Sequence, residues 1–292
     1  MLLLDKSMVM KMKTRLLSAV IGIPILIAVL FFYDTIVLNI AIALICMIGV
    51  YEFLHSTKYV ANPVILVCSM LFAGMIPFMN FELMKDRTTL VMLVYIVILI
   101  AILFARHNTL KFEEIGVAFT VSVLVPFALS SFVFVRDKYD GGIFYILLIF
   151  LCAWISDAGA YFIGRVFGKH RLAPTISPKK TIEGAVGGVI FCVIFNVAFT
   201  YVYTVITEDS LHLEANLIAL IVVSFVGSII GIFGDLFASI VKRQTGIKDF
   251  GNIIPGHGGI IDRFDSVLFI APFIYVMCDI WPIMSTASDL VK

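Results

Sequence analysis

The chain has 292 residues, 61% of them hydrophobic and 14% charged, with a formal net charge of +1. Soluble domains average about 45–50% apolar and about 25% charged residues, so this composition excludes a single soluble core and indicates a polytopic membrane protein. The small net charge also excludes the global basic field that gathers nucleic acid.

The chain opens with Lys6, Lys11, Lys13 and Arg15 ahead of an apolar run. This resembles a signal peptide in outline. Pro24 lies mid-run, however, the run continues to Tyr33, and no clear small-residue cleavage site follows, so an uncleaved first span is expected. At roughly 20 apolar residues per crossing, nine spans are predicted: Leu16–Tyr33, Ile36–Leu54, Pro63–Phe81, Leu90–Ala105, Ile115–Val135, Ile143–Gly164, Ala185–Ile206, Asn216–Ile240 and Val267–Ser285. The expected fold class is all-α, a polytopic integral membrane protein with a polar site at the cytoplasmic face. With the N-terminus inside, sixteen Lys and Arg fall on the inner side and five outside (Lys85, Arg87, Arg136, Lys138 and Lys292). The positive-inside rule then makes the N-terminus cytoplasmic and the C-terminus external, in a cell membrane. It also puts the polar loops Arg165–Gly184 and Val241–Ser266 on the cytoplasmic side. The chain reads as a single membrane domain over residues 1–292, mainly scaffold over 1–142 and catalytic over 143–292. Cys46, Cys68, Cys152, Cys192 and Cys278 all sit in apolar runs without CxxC spacing, and are expected to be buried hydrophobes.

Chemistry concentrates in the second half. Asp235 lies inside an apolar span, where a carboxylate is costly without a partner and points to function. Asp235, Ser239 and Lys242 are spaced i, i+4, i+7 and share a helix face. In the same run, Gly227 and Gly231, and Gly234 and Ala238, are four apart, which lets another backbone approach closely. The loop beyond carries Lys242, Arg243, Lys248 and Asp249, then the turn Pro255-Gly256-His257-Gly258-Gly259, then Asp262-Arg263-Phe264-Asp265. Gly256, Gly258 and Gly259 let backbone amides approach a ligand. If the chain is helical from Ile260, Asp262 and Asp265 stand at i, i+3 and offer hard oxygens that suit magnesium. His257 has no histidine at zinc-ligand spacing and is expected to shape the loop or touch phosphate rather than act as an acid–base group. Upstream, Ser177 is expected to cap a helix starting at Pro178, which would make Lys179, Lys180, Thr181 and Glu183 part of a phosphate cradle. Asp157 is another acid in an apolar run and shares a face with Tyr161 and Gly164. Asp279 and Trp281 read as residues of the outer membrane interface.

These motifs resemble the phosphatidate cytidylyltransferase (CDP-diacylglycerol synthase) family. Its long C-terminal signature is matched in order and spacing by Ser239, Lys242-Arg243, Lys248-Asp249, Pro255 to Gly259 and Asp262 to Asp265. Ser177 to Thr181 with Glu183-Gly184, and Ser156-Asp157, are similar to the same family. The resemblance implies transfer of a cytidylyl group from CTP to phosphatidic acid, dependent on Mg2+ or Mn2+, with release of pyrophosphate. On that reading Asp235 and Asp262 hold the metal, with Asp265, Asp249 and Asp157 in support. Lys242, Arg243, Lys248 and Arg263 neutralise phosphates, and Lys179 and Lys180 serve the lipid phosphate or the triphosphate. The partners implied are CTP, phosphatidic acid and membrane lipid, with no nucleic acid; a homodimer is compatible with it. Two other classes are distinguishable. A CTP-dependent polyprenol or phytol kinase would release CDP, and a cation-coupled transporter would show internal symmetry around a midplane site.

Overall fold

In the computed structural model, residues 6–139, 141–211 and 213–286 are described; His212 and Lys292 lie outside them. The elements in chain order are α1 (Lys6–Phe31), α2 (Ile36–Ser56), α3 (Pro63–Met75), α4 (Glu82–Lys85), α5 (Thr88–Ala105), α6 (Phe112–Lys138), α7 (Gly142–Phe167), β1 (Arg171–Ala173), β2 (Ser177–Thr181), α8 (Ile182–Leu211), β3 (Leu213–Ala215), α9 (Leu217–Gln244), α10 (Ile261–Phe264), α11 (Val267–Ile280) and β4 (Met284–Thr286). Six of the described helices, namely α2, α5, α6, α7, α9 and Ile182–Thr207 of α8, are long and apolar enough to cross a membrane. The apolar stretches Leu16–Phe31, Pro63–Phe78 and Val267–Ile280 are shorter, at 10–17 residues. The all-α membrane class therefore holds, with two short two-stranded sheets added.

The chain divides into two compact units. The first comprises residues 1–133 and 242–264. In it α2 buries Leu38, Ile42, Cys46, Val50 and Leu54, a stripe at four-residue spacing that forms one helix face. Asn62 caps α3 by accepting the Val64 amide at 2.9 Å, with Pro63 in the first turn, where its missing N–H costs nothing. Helix α5 buries Tyr95 and Leu99, one turn apart, and exposes Leu90, Leu93, Val94 and Val97, as a lipid-facing helix should. The Tyr95 ring stacks on Phe72 at 4.1 Å between centroids, and its hydroxyl donates to Ser122 Oγ at 3.0 Å, so the buried phenol is not left unpaired.

The second unit comprises residues 134–241 and 265–292. Helices α7 and α8 meet along small residues. A Cβ on Gly184 would lie 2.7 Å from the Ala160 carbonyl oxygen, and one on Gly188 would lie 2.6 Å from that of Ser156. Side chains there would force the backbones apart. The small-residue run of α9 works the same way: a Cβ on Gly231 would strike Ile270 at 2.7 Å and one on Gly234 the Asp265 carbonyl oxygen at 2.7 Å. Buried Asn196 of α8 donates to Ser224 Oγ of α9 at 2.9 Å. At the end of this unit β3 pairs antiparallel with β4, Tyr139 donates to Asp279 at 2.6 Å, and Lys138 pairs with the same carboxylate.

One expectation fails in this unit. Ser177 and Pro178 do not begin a helix. They open β2, which pairs antiparallel with β1 through Arg171 opposite Thr181 and Ala173 opposite Ser177. The helix starts at Ile182, and Thr181 caps it by accepting the Gly184 amide at 3.2 Å. Backbone pairing in the hairpin outweighs the local Ser-Pro cap signal.

Candidate functional site

Within the second unit, α7, the β1–β2 hairpin, α8 and α9 line a cavity of about 480 Å³. Helix α7 contributes Asp157, Tyr161, Gly164 and Arg165, and the hairpin contributes Arg171, Lys179, Lys180 and Thr181. Helix α9 contributes Asp235 and Ile232, and α8 contributes Gly184 and Ala185. Four cations thus face two carboxylates, a balance that favours anions with several charges. The partner that a carboxylate in an apolar helix requires is Lys180, which forms an ion pair with Asp235; both side chains are about a quarter exposed. Arg165 donates to the Tyr161 hydroxyl at 3.1 Å. Ser239 follows one turn after Asp235 and is half-buried.

Glu183 and Ser177 are not among the cavity's lining residues. The Glu183 carboxylate instead accepts the amides of Lys169 at 3.1 Å and His170 at 3.2 Å, and meets the His170 ring at 2.6 Å. It thereby ties down the segment leading into the hairpin. Arg165 and Arg171 escaped the sequence analysis as site residues. The signal for Arg165 was its position four residues after Tyr161 and eight after Asp157, on one helix face.

Within the first unit, the segment after α9 folds around Asp262. Its Oδ1 accepts Lys242 Nζ at 2.9 Å, and its Oδ2 accepts the amides of Phe250 at 2.8 Å and Gly259 at 3.0 Å. Lys242 also stands over the Phe250 ring, 5.5 Å from its centroid. The glycine-rich stretch is a tight turn in which the His257 amide donates to the Ile254 carbonyl at 2.9 Å. Gly256 at φ 76° and Gly258 at φ 88° adopt left-handed conformations, which side chains disfavour. The His257 ring meets Ser18 Oγ at 2.8 Å, in keeping with a loop-shaping histidine. Lys248, Asp249 and Arg243 are exposed. Asp265 belongs to the second unit, where its Oδ1 accepts the Ser266 amide at 2.9 Å. The helical stretch around Asp262 is one turn, α10, rather than a continuous helix from Ile260.

Arg263 uses its fork inside the loop, donating to the His257 carbonyl through Nε at 2.9 Å and Nη2 at 2.5 Å. Lysine keeps the charge but cannot make both bonds. Arg263→Lys should therefore lose nearly as much kcat/KM as Arg263→Ala, on the order of tenfold or more. Steady-state assays of the two variants check this, and wild-type behaviour of the lysine variant would reduce Arg263 to a local positive charge.

Among the described residues no three His, Cys, Asp or Glu side chains converge. Magnesium often takes only one or two protein carboxylates and completes its shell with water and substrate phosphate. Asp157 and Asp235, hard oxygen donors facing one roomy cavity, suit that pattern.

The cation-rich cavity and the loop-built cluster of Lys and Asp are chemically suited to phosphate-bearing groups. Comparison with known proteins narrows this. The sequence model of the cytidylyltransferase family matches residues 13–281. Among curated relatives, the phosphatidate cytidylyltransferase of Staphylococcus haemolyticus is 33% identical over 268 residues, which cover 91% of this chain and 98% of the relative. That of Bacillus subtilis is 31% identical, over 91% of this chain and 97% of its own. That of Staphylococcus aureus is 33% identical, over 91% and 98%. The chain belongs to the cytidylyltransferase family.

Proposed function

We propose that this chain transfers the cytidylyl group of CTP to phosphatidic acid, giving CDP-diacylglycerol and pyrophosphate. Full-length similarity to phosphatidate cytidylyltransferases carries this reading. The chemistry of the cavity agrees with it. A phosphate oxygen of the lipid forms a bond to the α-phosphorus of CTP as the bond from that phosphorus to the bridging oxygen breaks, and the electron pair leaves with pyrophosphate. A phosphate monoester is largely dianionic at neutral pH, its second pKa being about 6, so the nucleophile needs no strong general base. The task left to the protein is positioning and charge neutralisation.

The proposed roles follow. Lys179 and Lys180, with Arg165 and Arg171 beside them, neutralise phosphate in the cavity. Lys242, Arg243, Lys248 and Arg263 do so from the loop, whose Gly256 and Gly258 turn and His257 shape it, and Ser239 lies on the helix that carries Asp235. Asp235 and Asp262 are the acids assigned to metal, each in its own cluster, with Asp157, Asp249 and Asp265 in support. A magnesium ion there would stabilise charge developing on the phosphates. Purified protein given CTP, phosphatidic acid and magnesium should yield CDP-lipid and pyrophosphate in equal amounts. Release of CDP in place of pyrophosphate would identify a kinase, and CTP left unconsumed would overturn the enzyme reading.

We also assign the nine apolar helices found among the described residues to membrane spans, the three shorter ones included, with the N-terminus cytoplasmic. The bias of Lys and Arg supports this. Single cysteines at positions 175 and 252 in a cysteine-free background should then be labelled from the cytoplasmic side only. Labelling of either from outside would break the topology.

A further inference from the structure

The apolar helix α2 contains a carboxylate, Glu52, that is 2% exposed. Its Oε2 accepts the Ile261 amide at 3.2 Å, while Oε1 has no hydrogen-bond partner among the described residues. Burying such a group is costly, so its placement asks for a reason. The carboxylate fills the space that side chains at two loop glycines would need. A Cβ on Gly251 would lie 2.5 Å from Glu52 Cδ, and one on Gly259 would lie 2.7 Å from it. Neither glycine has a positive φ, so it is the missing side chain, and not backbone freedom, that their positions require.

Glu52 does not act alone. Gly49, Glu52, Phe53 and Ser56 fall at i, i+3, i+4 and i+7, which is one face of α2. A Cβ on Gly49 would lie 2.9 Å from Ile261 Cδ1, Phe53 stacks on Phe250 at 5.1 Å and 17°, and Ser56 donates to the Phe250 carbonyl. The ends of the loop docked on this face, Phe250 and Gly259, are the residues whose amides hold the Asp262 carboxylate. We propose that Glu52 is a positioning residue for the reaction: its carboxylate is the template on which the segment from Phe250 to Ile261 closes, and it sets the orientation of Asp262. The proposal rests on the assignment of Asp262 to the site.

Glu52→Ala, Glu52→Gln, Gly259→Ala and the double variant Glu52→Ala/Gly259→Ala test it in the full-length protein. The readouts are kcat and KM for CTP, and amide hydrogen exchange over residues 250–262. Glu52→Ala should lower kcat about tenfold or more and speed exchange in the loop. Glu52→Gln keeps the volume and an acceptor for the Ile261 amide, and should stay within about threefold of wild type in kcat. Gly259→Ala should fail like Glu52→Ala, yet cost little more in the double variant, because the vacated carboxylate leaves room for the methyl group; contacting residues couple in this way. If Glu52→Ala does not fold, Glu52→Asp replaces it, since the shorter side chain draws the carboxylate back from Gly259. A lowered melting temperature with unchanged kcat overturns the positioning role, as do glutamine as damaging as alanine or effects that simply multiply. The exchange arm, and the coupling read from exchange, do not depend on the chemistry of Asp262. Loop loosening with unchanged kcat, alongside an active Asp262→Asn, would therefore locate the failure in the assignment of Asp262 and end the proposed role of Glu52 with it.

Discussion

Asp235→Asn is expected to leave the protein folded and inserted in the membrane while lowering kcat/KM by about a thousandfold or more. The substitution removes one charge at nearly constant volume from a cavity wall shared with Asp157 and four cations. Its cost to stability should be small, because the ion pair lost with Lys180 is about a quarter exposed on each side and water already screens it. Its cost to catalysis should be large if the proposed metal role holds, because a magnesium ion held through one or two carboxylates would lose much of its anionic ligand charge when one is neutralised. Pyrophosphate release and thermal melting, measured on the same preparation, check both halves. Activity near wild type would remove Asp235 from the site. A large drop in melting temperature would make it a structural anchor.

The helical architecture was legible because lipid imposes it. A chain that must satisfy its backbone inside hydrocarbon has few options beyond the helix, and apolar run length gives its bounds. Ile36–Leu54 became Ile36–Ser56, and Asn216–Ile240 became Leu217–Gln244. The hairpin was not legible. Ser177-Pro178 carries a good local start signal, whereas pairing of Arg171 with Thr181 is a contact between strands that no cap rule registers. The helix start simply moved to the next residue able to cap it, Thr181.

The candidate site was legible where acids interrupt apolar runs. That rule found Asp157 and Asp235, and both line one cavity. Applied evenly it would also have found Glu52, in the run ICMIGVYEFLHS. Two residues from the expected end of its span, Glu52 resembles an ordinary interface residue. Its partner, Ile261, stands 209 positions away in the chain, and no local pattern reports such a contact. The space that Gly259 leaves was hidden for the same reason: grouped with Gly256 and Gly258 it suggested only amides open to a ligand. The left-handed backbone belongs to those two, while Gly259 makes space for a carboxylate.

Asp262→Asn separates from Asp235→Asn by its effect on folding. The Asp262 carboxylate is 5% exposed and accepts three donors, Lys242 Nζ and the amides of Phe250 and Gly259. An asparagine presents one oxygen and one NH2 group. Whichever way it turns, at least one of the three donors meets another donor. Leaving a buried donor unsatisfied costs about 1–3 kcal/mol, and more when the donor is charged, as Lys242 is. Asp262→Asn should therefore abolish turnover and also lower the melting temperature by several degrees, whereas Asp235→Asn should do only the former. Asp262→Asn/Lys242→Met removes the charged donor as well. It should regain part of the lost stability and none of the activity, because the hydrogen-bond conflict is relieved while the carboxylate stays absent. Recovery of activity in that double variant would show that neither the Asp262 carboxylate nor Lys242 acts on the phosphates, and that Asp262 serves only to satisfy the buried donors of the loop. The reacting phosphates would then answer to other groups, and Asp262 would leave the catalytic assignment.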